Sequence, residues 1–428
     1  MNVNYIDLKY KPTKKDVICE FYLEPNKINL SKAASHVALE SSIGTWTELS
    51  TIGKRIINSL KPSVFSINPR SSIIKIAYPE ELFEPGNMSQ IFSAVAGNIF
   101  GMKAVKNLRL EDIQFTKKLI NSFKGPKYGI EGIRKLTKVT KRPLVGTIVK
   151  PKVGLNEKEH ANVAYEAWIG GLDIVKDDEN LTSMSFNNFK KRIDETVKLK
   201  FKAEKETGEK KIYMPNITAE TDEMKKRLDY VKNSNNEYFM IDILTTGWAA
   251  LATIRNHNEK TNRVMHAHRA MHAALTRNPK HGISMLTLAK TYRLIGVDQL
   301  HIGTASVGKM HGSASEELNI EREIELQHVA PNQTLHSLAQ EWYNIKPVFA
   351  VASGGLHPGM TQKLIEVMGK NIVAQYGGGC HGHPDGTYAG AKAIRQSVEA
   401  TMRGISLQEY AKTNPELEKA IKLWGIAK

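Results

Sequence analysis

From Pro143 onward, short β-rich runs alternate with amphipathic helical stretches, and this rhythm restricts the fold more than any other feature of the chain. The expected strands cover residues 144–149, 172–175, 211–217, 238–244, 263–267, 299–303, 348–352 and 372–376. Helical patterns lie between them, as at 161–169, 285–294 and 360–368. Strands that alternate with helices pair in parallel, since each crossover returns the chain to the same end of the sheet. Eight such units predict a closed (β/α)₈ TIM barrel. An open doubly wound sheet is the other arrangement they permit. Reactive residues follow six of the eight expected strands, which suits the C-terminal rim of a barrel better than the single switch point of an open sheet.

The 428 residues exceed what one core holds and match a barrel of ~250 residues plus a smaller domain. Residues 1–125 mix strand-like runs (17–22, 73–77) with a helical stretch (89–97), the pattern of an N-terminal α+β domain of ferredoxin-like type. A basic, turn-rich stretch at 123–129 marks the boundary, and residues 126–428 form the barrel with C-terminal helices. Two cysteines, Cys19 and Cys380, exclude a disulfide scaffold and suit a reducing cytoplasm. The N-terminus lacks a signal-peptide pattern, and no run of 18 apolar residues exists, so no membrane partner is expected. A net charge of +16 suits an anionic ligand. Much of it sits in helical stretches such as 188–202 and 224–232, as solvated faces. With no RNA-binding signature or aromatic-interleaved basic patch, no nucleic-acid partner is expected.

The densest chemistry is GGLDIVKDDEN at residues 170–180. A strand ends in Lys176, and Asp177, Asp178, Glu179 and Asn180 follow. Acids beside a lysine at a strand end suit a hard cation such as magnesium, which takes oxygen ligands. Alternate strand side chains share a face, so Lys176 and Asp178 are expected to point together, and Glu179 joins them only where the chain leaves strand geometry. A surface salt-bridge cluster has the same composition. GTIVKPKVG (146–154) puts Lys150 at the end of the first barrel strand, with Lys152 just beyond. A lysine there serves as acid or base when its surroundings lower its pKa, although Lys-Pro-Lys is also an ordinary exposed turn. HAHRAMH (266–272) supplies His268 for proton transfer and Arg269 for a bidentate grip on phosphate. Zinc is the competing reading there, weakened by the lack of nearby cysteines.

VASGG (351–355) and QYGGGCHGHP (375–384) place Gly354, Gly355, Gly377 and Gly378 after the seventh and eighth strands. Barrels often bind phosphate in those loops, and glycine lets backbone N–H groups approach an anion, though flexible turns look the same. HIGTASVGKMHG (301–312) carries Lys309 between glycines, the pattern of a lid or of an ordinary long loop.

These motifs, together with LESSIGTWTE (39–48) and AGNIFGMKAVKNLRLED (96–112), resemble the rubisco large-chain family in order and along nearly the whole chain. LTSMSFNNF and HRAMHAALTRNPKHGISM are most similar to archaeal form III or the intermediate II/III group. The resemblance implies carboxylation of ribulose 1,5-bisphosphate by carbon dioxide and water to two 3-phosphoglycerates, with an oxygenase side reaction. It implies an activating carbon dioxide held as a carbamate on Lys176, which with Asp178 and Glu179 binds Mg²⁺. Lys150 relays protons, assisted by Lys152. His268 helps in hydration, and Lys309 closes over the site and polarises carbon dioxide. Arg269, His301 and Ser353, the last beside Gly354, hold one phosphate. Thr45, Trp46, Gly355, Gly377 and Gly378 hold the other. Glu40 and Asn98 complete the site. Glu40, Thr45, Trp46 and Asn98 come from a neighbouring subunit in this family, which implies a homodimer or an assembly of dimers, with no small subunit. Form III relatives suggest a place in AMP and nucleoside salvage.

The chain departs from the pattern in two places. Ile148 stands where many plant-type chains have threonine, as in simpler forms. His311-Gly312-Ser313 follows Lys309-Met310 where Glu-Gly-Glu is usual, which implies a looser lid. The alternative is a rubisco-like enolase or isomerase of a phosphorylated sugar or methylthio-sugar. Such proteins generally lose several of the residues matching Lys150, Lys309 or the phosphate grips, and this chain keeps them all.

Overall fold

A computed structural model of the chain describes residues 3–47, 49–310 and 312–427. His311, one of the lid departures, and Glu48 lie outside the described residues. The strands are β1 (Asp16–Pro25), β2 (Ser63–Asn68), β3 (Ile73–Pro79), β4 (Val105–Gln114), β5 (Leu144–Ile148), β6 (Ile174–Lys176), β7 (Ile212–Met214), β8 (Tyr238–Asp242), β9 (Val264–His268), β10 (Gly282–Ile283), β11 (Gln299–His301), β12 (His328–Val329), β13 (Gln340–Glu341), β14 (Phe349–Ser353) and β15 (Ile372–Gln375). They belong to two compact units.

The first unit joins residues 1–125 to two later stretches, 271–296 and 326–345. Its mixed sheet runs β10-β4-β1-β3-β2, antiparallel except for the parallel pair of β10 with β4. The helix Leu30–Glu40, capped by the Asn29 side chain, buries Ala33, Ala34, Val37 and Ala38, the i, i+3, i+4 stripe of an amphipathic helix. The helix Met285–Ile295 buries all of its residues. Its Lys290 ammonium meets the Asp112 carboxylate at 2.9 Å, a paired charge as a fully buried lysine requires.

The second unit contains the parallel sheet, hydrogen-bonded in the order β7-β6-β5-β15-β14-β11-β9-β8. It closes between β7 and β8, where Met240 N–H donates to Pro215 O at 2.8 Å and Ile217 N–H to Met240 O at 3.0 Å. Among the described residues this makes a barrel of eight parallel strands, as the alternation predicts, and excludes the open sheet. β7 is shorter than the expected 211–217, because Pro215 lacks a ladder N–H. Leu144, Ile174, Met214, Met240, Val264, Phe349, Val351 and Val373 pack together as the interior. Period-two alternation then aims Lys176, Asp242, His268 and Ser353 inward at the C-terminal strand ends. Among the described residues no helix is long and apolar enough to cross a membrane.

Candidate active site

Lys176 is the last residue of β6 and is almost fully buried. Its ammonium donates to the Asp177 carbonyl at 2.9 Å and touches Met240 Sδ at 3.3 Å, and the nearest carboxylate oxygen paired with it, on Glu179, is 4.0 Å away. Burial lowers its pKa, against the opposing pull of Glu179, Asp178 and Asp242. The backbone turns at once, with Leu181 N–H donating to Asp178 O at 3.0 Å, which brings Glu179 to the Lys176 side. Lys150, just past β5, lies 2.5 Å from Asp178 Oδ2, and Lys152 lies 3.6 Å from Glu179 Oε1.

Asp177, the third acid of the motif, points away into the protein. It accepts hydrogen bonds from Tyr213 Oη (2.8 Å), Arg192 Nε (3.1 Å) and Asn216 N–H (2.9 Å), with His160 Nε2 at 3.1 Å. Burial alone would raise its pKa, but Arg192 and His160 outweigh that and hold it well below the usual carboxylate range. Arg192 also donates to Thr182 O at 2.7 Å and Asn187 Oδ1 at 2.7 Å, so this buried pair fastens the loop that carries Asp178 and Glu179.

His268 Nδ1 lies 3.0 Å from Asp242 Oδ1, and its Nε2 lies 3.7 Å from Glu179 Oε2. Asn216 Nδ2 donates to the other Asp242 oxygen at 3.2 Å. Asp242 and Asn216 were not singled out from the sequence. The available signal was a carboxylate ending the apolar run of β8 and an amide just past β7. The His301 ring packs edge-on against both His268 and His266, with centroids 4.8 and 4.9 Å apart. Burial lowers the pKa of His301 well below the ordinary histidine value, and nearby cations add to the effect. Arg269 follows β9, and burial lowers its pKa to about 10, opposed by the Glu317 carboxylate.

Ser353 ends β14, and Gly354 and Gly355 follow with φ of +139° and +74°, a region that side chains disfavour. The expected lid rests on them. Lys309 N–H donates to Gly354 O at 2.9 Å, and a Cβ on Gly355 would stand 2.7 Å from Lys309 Cβ. Gly308 N–H donates to Thr304 Oγ1 at 2.9 Å inside the same loop. A Cβ on Gly377 would meet Lys150 Cε at 3.5 Å, so the glycine turn after β15 flanks that lysine, and Gly378 follows it. In the first unit, Glu40, Thr45, Trp46 and Asn98 line one cavity of about 660 Å³ together with His36 and residues 101–104. Trp46 is 90% exposed.

Among the described residues no three His, Cys, Asp or Glu side chains form a ready metal site. A buried amine with weak neutral partners and a lowered pKa can lose its proton and take up carbon dioxide, and Asp178 and Glu179 supply the hard oxygens magnesium takes.

A closed barrel whose mouth gathers lysines, acids, histidines and glycine-rich turns, with a mixed-sheet N-terminal unit, defines a two-domain barrel enzyme. Residues 129–424 match the model for the ribulose bisphosphate carboxylase large chain, catalytic domain, and residues 4–119 that for its N-terminal domain. The chain belongs to the ribulose bisphosphate carboxylase large-chain family, in its archaeal branch, and is a lyase of that family. It is 53% identical to the ribulose bisphosphate carboxylase of Methanosarcina mazei over 99% of both proteins. With that of Methanocaldococcus jannaschii the identity is 49%, over 99% of this chain and 100% of the other. The solved octameric rubisco of Pyrococcus horikoshii superposes with a TM-score of 0.92 at 47% identity, covering 99% of this chain and 97% of that one. The dimeric archaeal rubisco of Hyperthermus butylicus gives 0.93 at 46%, covering 98% of each.

Proposed function

We propose that this chain adds carbon dioxide and water to ribulose 1,5-bisphosphate, yielding two molecules of 3-phosphoglycerate, with oxygen as the competing reactant. The observation that carries this reading is the meeting of Lys150, Lys176, Asp178, Glu179 and His268 within one chain of contacts at the barrel mouth. Lys176, as a carbamate, joins Asp178 and Glu179 as the magnesium ligands. When bound there, the ion supplies Lewis-acid polarisation of sugar oxygens. Lys150 stands beside Asp178 and moves protons at the reacting carbons, and Lys152 pairs with Glu179 to support it. Asp242 orients His268, whose Nε2 faces the site and assists hydration. Lys309, on the loop resting against Gly354, closes over the substrate and polarises carbon dioxide. Arg269, His301 and Ser353, with Gly354 beside them, grip one phosphate, and the turns at Gly355, Gly377 and Gly378 grip the other.

Glu40, Thr45, Trp46 and Asn98 of a second copy complete the site, which makes a homodimer the smallest active unit. An exposed tryptophan beside a cavity of about 660 Å³ supports this, as does the dimer of the Hyperthermus butylicus relative. The substrate supply is proposed to be AMP and nucleoside salvage. The test is incorporation of ¹⁴C-labelled carbon dioxide with ribulose 1,5-bisphosphate under activating bicarbonate and Mg²⁺. Acid-stable label in 3-phosphoglycerate is expected. Enolised or isomerised sugar without label would point instead to a rubisco-like enolase.

A further inference from the structure

The barrel interior holds a polar pair, His266 and Gln299, that the chemistry above leaves unused. His266 on β9 and Gln299 on β11 are fully buried and paired in register. His266 Nδ1 lies 2.8 Å from Gln299 Oε1, and His266 Nε2 lies 2.9 Å from His301 Nε2. Gln299 Nε2 is buried without a hydrogen-bond partner among the described residues.

Two imidazole nitrogens 2.9 Å apart share one hydrogen, so the three side chains must all point their donors the same way. If Gln299 Oε1 accepts from His266 Nδ1–H, then His301 donates through Nε2 and presents a bare Nδ1. If the amide is turned over, its N–H donates to His266 Nδ1. His266 then donates to His301 Nε2, and His301 presents an Nδ1–H. Each direction leaves one end of the amide unpaired, so the chain by itself is nearly balanced. A phosphate oxygen accepts only from an N–H and selects the second direction. An imidazolium would also donate, but a further charge is disfavoured on a buried ring in the field of Arg269.

We infer that His266 and Gln299 are positioning residues that set the tautomer of His301, so that a neutral ring donates to a phosphate of the substrate. This rests on the reading of His301 as a phosphate ligand. Calorimetric binding of ribulose 1,5-bisphosphate to the full chain without added metal separates the two ideas. His301→Ala is expected to weaken binding; unchanged affinity would remove the phosphate grip and this inference with it. His266→Met, which has no donor, is expected to weaken binding by about tenfold. His266→Gln, whose amide N–H still reaches His301, should stay within about threefold of the parent chain. If His301→Ala weakens binding while His266→Met does not, or if His266→Gln is as poor as His266→Met, the positioning role fails and the phosphate grip stands. The ¹⁵N shifts of His301 in the bisphosphate complex of the parent chain give a reading that needs no variant to fold. A neutral Nδ1–H tautomer is expected, and an Nε2–H tautomer or an imidazolium overturns the inference.

Discussion

Lys150 Nζ lies 2.5 Å from Asp178 Oδ2, whereas Lys176, the proposed carbamate carrier, has Glu179 as its nearest paired carboxylate, at 4.0 Å. One lysine therefore neutralises a carboxylate of the proposed magnesium site, and the other is left without a close ionic partner. Replacing Lys150 with methionine frees Asp178. Mn²⁺ binding to the protein without carbon dioxide, followed by electron paramagnetic resonance, should tighten on the order of tenfold. Unchanged or weaker binding would show that Lys150 does not compete for that carboxylate.

Asp177 and Arg192 hold the loop from behind, and both are fully buried. Removing one partner leaves an uncompensated buried charge, which costs about 3–5 kcal/mol. Arg192→Met is expected to lower unfolding stability by that amount in urea titrations. A loss below about 1 kcal/mol, the scale of a surface pair, would contradict the role given to this pair.

Gly308 is pressed against the turn after β14. A Cβ there would lie 2.2 Å from Gly354 O and 2.8 Å from Thr304 Oγ1, and the first of these is backbone and cannot swing aside. Gly308→Ala should break the Lys309–Gly354 hydrogen bond and leave residues 304–310 open to protease even with a bisphosphate inhibitor bound. In the parent chain the inhibitor should protect that stretch. Equal cleavage of the parent with and without inhibitor would count against any closure of this loop.

A histidine–glutamate pair in the first unit gives a pH signature. His336 Nδ1 lies 2.9 Å from Glu20 Oε1, and Lys75 lies 2.9 Å from the other oxygen. The hydrogen bond to Glu20 raises the His336 pKa despite partial burial. Burial pushes Glu20 up, but His336 and Lys75 outweigh it and hold it below its usual value. The histidine contribution is full below about pH 6.5 and fades as pH rises through its raised folded value; the glutamate contribution is full above about pH 4.3 and fades as pH falls through its lowered one. The pair therefore stabilises most between those limits. Glu20→Gln should return the His336 titration, followed by NMR, to the ordinary range and remove its part of the stability loss above neutrality. An unshifted titration in the parent chain would refute the pairing.

The barrel was legible because its strands are short β-rich runs, buried on both faces and ending in polar residues, that alternate with helices. Lys176, Asp178 and His268 could be placed at the mouth by counting from those ends, whereas Ser353 rested on the family resemblance. The turn that swings Glu179 back to Lys176 could only be posed as a condition, because it depends on Asp177 being captured by Arg192, Tyr213 and His160 from other elements. Asp242 was hidden for the same kind of reason, since a single aspartate after YFMI gains meaning only once β8 lies beside β9 and its carboxylate meets His268. No shift in composition marks 271–296 and 326–345 as part of the first unit. The one local sign is that residues 285–295 lack a continuous polar face, as befits a helix buried all round.

The proposed chemistry turns on carbon dioxide adding to the Lys176 amine, and ¹³C NMR of the protein under ¹³C-bicarbonate and Mg²⁺ reads that event directly. A carbamate carbon resonance should grow in the parent chain and be missing from a folded Lys176→Ala variant, which should also fix no carbon. A parent spectrum without that resonance, or one that survives the substitution, would contradict the assignment.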